Sequence, residues 1–217
     1  MADINDEYSY TDEQLAIIES IKRQDGFSHI SWYHDDFTII KSQIREFYRI
    51  QQRGLCAFCK NPLSLQAAAN CTVEHIIPKS KKVDYMFTPK NLCVICADCN
   101  EIKRAQEVIN EDHEVLNNPE IAMYPRSSGA FIIVHPHFDD WYEHIHKVGA
   151  RIYIDKTLKG INTMKVCKLN RFFHRLGVSD EYVNDGVLTS LMSEYVESNN
   201  FIRKADIINR IREILIA

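Results

Sequence analysis

Two Cys-x-x-Cys pairs, Cys56-Ala-Phe-Cys59 and Cys96-Ala-Asp-Cys99, bracket the middle of this 217-residue chain. Two intervening residues let both thiolates of a pair converge on one ion from a tight turn, and four thiolates complete a tetrahedral zinc shell. A closed shell of four sulfurs leaves no open position. A zinc held there is structural, and it contributes folding free energy to a module with little core of its own. The seven cysteines are an odd count, and the start, MADINDEYSY, lacks the basic-then-apolar pattern of a secretory leader. Both features point to a reducing, cytoplasmic setting and to metal ligation rather than disulfides. Cys93-Val-Ile-Cys96 has the same spacing, so Cys93 is an alternative to Cys99 as the fourth ligand. The choice of Cys99 rests on the Asn100 and Lys103 that follow it. Cys71, Cys93 and Cys167 stand among apolar neighbours and read as small core residues.

Composition sets the class. Apolar residues make up 45% and charged residues 26%, as in a folded globular chain, and no apolar run approaches the roughly 20 residues of a membrane span. Seven glycines and six prolines are few for a turn-rich all-β protein, so the expected class is α+β, mainly helical. Net charge is −4, but Lys41 to Gln106 holds eleven basic and five acidic residues, a local +6 against −10 elsewhere. A basic centre in an acidic chain is what a phosphate-facing site requires; interspersed surface charge gives the same sums.

The pattern divides the chain into a helical region at 1–54, a cysteine-rich core at 55–117, and a mixed, then helical region at 118–217. Thr11 opens a capping box with Gln14, followed by Leu15, Ile17, Ile18 and Ile21 at helical spacing. A second helix is expected from Asp36 to Arg53, with Phe37, Ile40, Ile44 and Phe47 on one face. Lys41, Arg45, Arg49 and Arg53 form a basic stripe beside it, ordinarily a solvated face and less often a nucleic-acid contact, and Gly54 follows as the C-cap. Within the core the expectation is a knuckle at Cys56–Pro62, a loop, a strand at Thr72–Ile77, a lysine-rich loop at Pro78–Lys82 and a helix from Ala97: a minimal ββα unit. A break is expected at Asn117-Asn118-Pro119. Strands are expected at Ala130–Val134 and Arg151–Ile154. Three helices follow, marked by Val166 to Leu176, Val187 to Tyr195 and Phe201 to Leu215.

Between the knuckles lie Val73-Glu74-His75-Ile76-Ile77-Pro78-Lys79, then Asn91-Leu92, then Cys99-Asn100-Glu101-Ile102-Lys103. On an ideal strand Glu74 and His75 point to opposite faces, and a distorted strand end is needed to bring both to one site. Taken singly, each residue has a structural reading: Glu74 a surface acid, His75 a satisfied histidine, Asn91 the N-cap of a helix carrying Cys93 and Cys96, Asn100 and Lys103 helix surface. Jointly, from Cys56 to Gln106, the order resembles the HNH endonucleases with a ββα-metal core.

The resemblance implies roles. His75 matches the general base that takes a proton from the attacking water. Glu74 and Asn100 match the ligands of a catalytic divalent ion, Mg²⁺ or Mn²⁺. Asn91 matches the asparagine that braces the loop bearing the base, and Cys56, Cys59, Cys96 and Cys99 the structural zinc shell. Lys103 is expected to approach a phosphate. Lys79, Lys81 and Lys82 are further candidate contacts to a DNA backbone, which give affinity without base readout. Glu74 stands where the family more commonly has Asp, and Asn100 where it commonly has His.

A second resemblance, on Val134-His135-Pro136-His137-Phe138-Asp139-Asp140-Trp141, Lys159-Gly160 through Thr163, and Lys168-Leu169-Asn170-Arg171, is to the tail of retron-linked and Septu-type defence nuclease subunits. It implies an antiphage role beside an ATPase subunit, with the C-terminal helices as docking surface. His135, His137, His144 and His146 are expected to be hydrogen-bonded or surface residues in a turn rather than a second metal site. The competing reading of the whole chain is a non-catalytic, zinc-stabilised module that binds nucleic acid or protein.

Overall fold

The computed structural model describes residues 2–110, 123–148, 151–177 and 186–216, so the expected break at Asn117-Asn118-Pro119 lies outside the described residues. The architecture is α+β, with eight α-helices and two small antiparallel sheets among the described residues. No helix is long and apolar enough to cross a membrane among those residues.

Helix α1 (Asp12–Lys22) begins at the expected capping box: Thr11 Oγ1 accepts from the Gln14 amide, and Gln14 Oε1 accepts from the Thr11 amide. Ile18 and Ile21 are buried, whereas Leu15 and Ile17 face outward. Helix α2 (Phe37–Gln51) buries Phe37, Ile40, Ile44 and Tyr48. Tyr48 replaces Phe47 as the last residue of the buried stripe because its hydroxyl finds the Pro89 carbonyl at 2.8 Å, and Phe47 packs at the margin. Gly54 ends the helix at φ +71°, its amide donating to the Arg49 carbonyl at 2.8 Å.

Strands β1 (Thr72–His75) and β2 (Leu92–Ile95) pair antiparallel with Thr72 opposite Ile95 and His75 opposite Leu92. β1 is thus two residues shorter than expected, since the Ile77 amide goes to the Asn91 side chain rather than to a neighbouring strand. The outer edge of β2 is closed by a side chain: buried Gln52 accepts from the Val94 amide at 2.7 Å and donates to the Val94 carbonyl at 2.8 Å. Helix α3 (Ala97–Lys103) follows at once and completes the ββα unit. Asn91 caps no helix; the chain after it is β2.

The C-terminal part departs further from expectation. Ala130–Val134 is not a strand: it makes a single bridge between Phe131 and Ile109, after a 3-10 turn at Ser128–Ala130. Its apolar run reflects burial of Phe131, Ile133 and Val134 in the core. After α4 (Trp141–His144), β3 (Ile145–Val148) pairs with β4 (Ile152–Asp155). Gly160 in α5 (Leu158–Cys167) lies against the sheet, where a Cβ would fall 2.1 Å from the His144 carbonyl oxygen, a contact only glycine permits. The single helix expected from Val166 to Leu176 is broken by Lys168 at φ +44°. That turn lets Asn170 clamp Tyr153, accepting from its amide at 2.8 Å and donating to its carbonyl at 2.9 Å, before α6 (Arg171–Leu176) begins. Helices α7 (Gly186–Glu197) and α8 (Phe201–Ile216) close the described chain. On α8 the buried pair is Ile207 and Ile211, while Phe201 is exposed.

One apolar cluster runs from α1 and α2 through the knuckle, both strands of the first sheet and Trp141 to Leu169. A second joins Val148, Ile152, Ile154 and Phe173 to Leu188, Leu191, Met192, Ile207 and Ile211.

Candidate functional site

The knuckle is built by backbone geometry. Lys60 adopts φ +54°, which turns the chain so that its amide returns to the Cys56 carbonyl at 3.0 Å and the Cys56 amide to the Asn61 carbonyl at 2.9 Å. Cys96 caps α3 and Cys99 lies in its first turn. The four sulfurs of Cys56, Cys59, Cys96 and Cys99 lie within 4.8 Å of one another and are buried. Cys59 and Cys96 are 3.7 Å apart, and a zinc tetrahedron with Zn–S near 2.3 Å has edges of about 3.8 Å. The donor set and its spacing fit zinc. Cys93 points elsewhere: it sits on β2 opposite Glu74, and burial holds its thiol protonated. The Arg171 guanidinium lies 3.9 Å from Cys99 Sγ and 3.3 Å from Asp98 Oδ2, a positive group beside the sulfur cluster. Tyr153 donates to the Cys59 carbonyl at 2.7 Å, and Trp141 Nε1 to the Phe58 carbonyl at 2.9 Å. The C-terminal elements thus hold the knuckle from outside.

The end of β1 opens into two adjoining cavities of 270 and 360 Å³, both lined by Tyr33, Glu74, His75, Lys79 and Asn100. Glu74 and His75 therefore reach one place despite their alternation along the strand. His75 is buried, its ring edge-on to Trp32 at 4.6 Å between centroids. His75 Nε2 lies 3.0 Å from the Met86 carbonyl oxygen. A carbonyl only accepts, so Nε2 carries the hydrogen and Nδ1 holds the lone pair. Burial first, then the Lys79 and Lys103 cations, push its pKa down to about 3 against the opposing Met86 bond, and the ring is neutral. Glu74 Oε1 accepts from Lys103 Nζ at 2.5 Å, and Lys103 also donates to the His75 carbonyl at 3.1 Å. Glu74 and Asn100, a carboxylate and an amide, line one cleft, and oxygen donors of this kind suit Mg²⁺ or Mn²⁺.

The other residues singled out in the sequence fall in different places. Asn91 does not line the cleft. Fully buried, it accepts from the Ile77 amide at 2.7 Å and donates to the Ile77 and Tyr85 carbonyls at 3.1 and 3.0 Å, tying down the loop after His75. Lys103, expected at a phosphate, has no exposed surface. It is the counter-ion of Glu74 instead, because α3 packs against β1. Lys82 is also buried, 3.6 Å from Asp84. Lys81 is exposed and paired with Glu107 at 2.6 Å, and Lys79 lies in the cleft over the Tyr33 ring. The histidines downstream are hydrogen-bonded: His135 to Tyr124, His137 to the Leu92 carbonyl at 2.8 Å, His144 to Thr157. Trp32 and Tyr33 carry no sequence signal that marks them for the cleft, whereas Lys41 and Arg45, for which the stripe allows a nucleic-acid contact as the lesser reading, line it beside them.

No curated protein and no solved structure matches the chain. The family model of HNH endonuclease matches residues 56–106, from the first knuckle cysteine to just beyond the end of α3. The segment that holds both the thiol cluster and the Glu74–His75 pair is therefore an HNH endonuclease domain.

Proposed function

We propose that the chain is a metal-dependent endonuclease that hydrolyses DNA phosphodiester bonds, with His75 as the general base. The observation that carries this reading is the orientation of His75: its Nε2 is tied to the Met86 carbonyl beside Glu74 and Asn100, and Nδ1 keeps the lone pair. A neutral Nδ1 takes a proton from water as the new O–P bond forms and one P–O ester bond breaks. Glu74 and Asn100 would hold a Mg²⁺ or Mn²⁺ ion, which supplies positive charge to the leaving ester oxygen when bound. Asn91 keeps the loop behind His75 in place, and Trp32 keeps water from one edge of the ring. The zinc takes no part in the chemistry; it fixes the turn and helix that present Asn100.

The test is plasmid and oligonucleotide cleavage with Mg²⁺, with Mn²⁺ and with neither. His75→Ala should keep one zinc per chain and lose at least about a hundredfold in rate. Cleavage by this variant at the rate of the unaltered chain would leave the non-catalytic binding module as the better reading.

The finer reading is a nuclease effector in an antiphage complex with an ATPase subunit. It is supported by the tail motif and by the exposed apolar residues Val187, Val196, Phe201 and Ile202 on α7 and α8. Co-migration with an ATPase encoded beside it, in some nucleotide state, checks this reading; none in any state rejects it.

A further inference from the structure

One wall of the catalytic cleft comes from outside the HNH segment. The 3-10 turn at His29–Tyr33 and helix α2 bring Trp32, Tyr33, Lys41 and Arg45 to the same 270 Å³ cavity as Glu74, His75, Lys79 and Asn100. Among the described residues, the only carboxylate in that lining is Glu74, already paired with Lys103. Lys41, Arg45 and Lys79 therefore leave the cavity with an excess of positive charge. Lys41 Nζ donates to the Trp32 carbonyl at 3.1 Å, and Lys79 Nζ lies 5.4 Å from the centroid of the Tyr33 ring. Arg45 differs. Among the described residues it has no hydrogen bond and no ion pair, and its Nε is buried without an acceptor. Its neighbour on the stripe, Arg49, donates to the Ser64 and Leu65 carbonyls at 3.2 and 2.7 Å. A guanidinium without a protein acceptor is open to one from a ligand in the cavity that it lines. The cavity has the size and charge for a phosphate group, which guanidinium binds through parallel N–H donors.

We propose that Arg45 binds a backbone phosphate of the substrate strand in this cavity, with Lys41 and Lys79 beside it, so that the N-terminal helices complete the cleft of the HNH domain. This rests on the nuclease reading above. It deepens that reading by giving the strand a binding residue from outside the HNH segment.

The test uses the full-length chain carrying His75→Ala, which prevents turnover, and a fluorescein-labelled DNA duplex titrated over a range of salt. Arg45→Gln should weaken binding about tenfold, the loss of one charged hydrogen-bonding contact. It should lower the slope of log affinity against log salt by about 0.9, the signature of one phosphate. A general packing defect would not change that slope. Arg45→Lys, which keeps the charge, should keep the slope and weaken binding less. Zinc content and melting midpoint on the same samples report folding. A second arm titrates inorganic phosphate into the full chain with and without Arg45→Gln: binding lost in the variant upholds the anion site without reference to cleavage. If the unaltered chain cleaves DNA and Arg45→Gln changes neither affinity nor salt slope, this inference is overturned and the nuclease reading stands. If the unaltered chain neither binds nor cleaves DNA, the nuclease reading fails and the strand-binding proposal with it. Phosphate binding that persists in Arg45→Gln places the anion elsewhere and also overturns the proposal.

Discussion

Lys103 and Glu74 set the electrostatics of the cleft. Lys103 is fully buried with Nζ between the Glu74 carboxylate and the His75 carbonyl, 6.0 Å from the centroid of the Phe58 ring. A buried lysine needs a counter-ion, and a carboxylate beside it loses much of its demand for another cation. The pair thus holds Glu74 in place while moderating its attraction for a divalent ion. Lys103→Met should leave a nearly buried carboxylate without its partner and cost about 3 kcal/mol of stability. The same variant should gain more from Mg²⁺ or Mn²⁺ than the unaltered chain, because the added cation replaces the lost charge. Thermal melts of both proteins with and without Mg²⁺ check this. Equal stability and equal Mg²⁺ shifts would mean that the ion pair does not govern the carboxylate.

At the scale of elements, the zinc knuckle is the joint between β2 and α3, and it separates the two cysteines that compete for the fourth ligand position. Cys99 faces the other three sulfurs from the first turn of α3, while Cys93 is buried in β2. Cys99→Ser should lose stoichiometric zinc and unfold the ββα unit. Cys93→Ala should keep one zinc per chain and lose on the order of 1 kcal/mol. Zinc analysis after gel filtration, with urea melts, distinguishes them; zinc loss in Cys93→Ala would reverse the assignment. The elements legible in the sequence are those whose signal is local: the Thr11–Gln14 cap, the apolar stripe of α2, the glycine after it and the cysteine spacing. The missed ones lack such a signal. Ile145–Val148 shows no period of two, its buried ends flanking the half-buried His146 and Lys147, and the stripe from Val166 to Leu176 conceals a turn that exists to let Asn170 hold Tyr153, 17 residues away. The site follows the same rule. Its motif is contiguous and legible, but the burial of Lys103 against Glu74, and the arrival of Arg45 from α2, depend on how α3 and α2 pack on β1, Lys103 and Arg45 each lying 29 positions from Glu74.

At the scale of the molecule, buried neutral histidines link its parts. His137 joins the segment before α4 to β2 through the Leu92 carbonyl, and His135 packs between Phe131 and Phe138 with its Nε2 at Tyr124. Burial is the first cause that lowers the pKa of each, with the other histidine, Lys159 and Lys90 adding to it at His135, and Lys90 at His137. The Leu92 bond and Glu7 oppose the shift at His137 without reversing it. The sign follows from linkage. The unfolded chain protonates these rings near pH 6.5 and the folded chain only at lower pH, so the unfolded state binds more protons in between. Stability is therefore fully present above about pH 6.5 and falls below it, by up to about 1.4 kcal/mol per pH unit for each such ring. His137→Gln, whose side-chain amide can still donate to the Leu92 carbonyl and does not titrate, should reduce that slope. Urea melts at intervals from pH 8 to pH 5.5 measure it, and zinc content at each pH separates the histidine effect from protonation of the cysteine thiolates. Stability that stays level over this range with zinc retained would show that these rings already protonate within the fold.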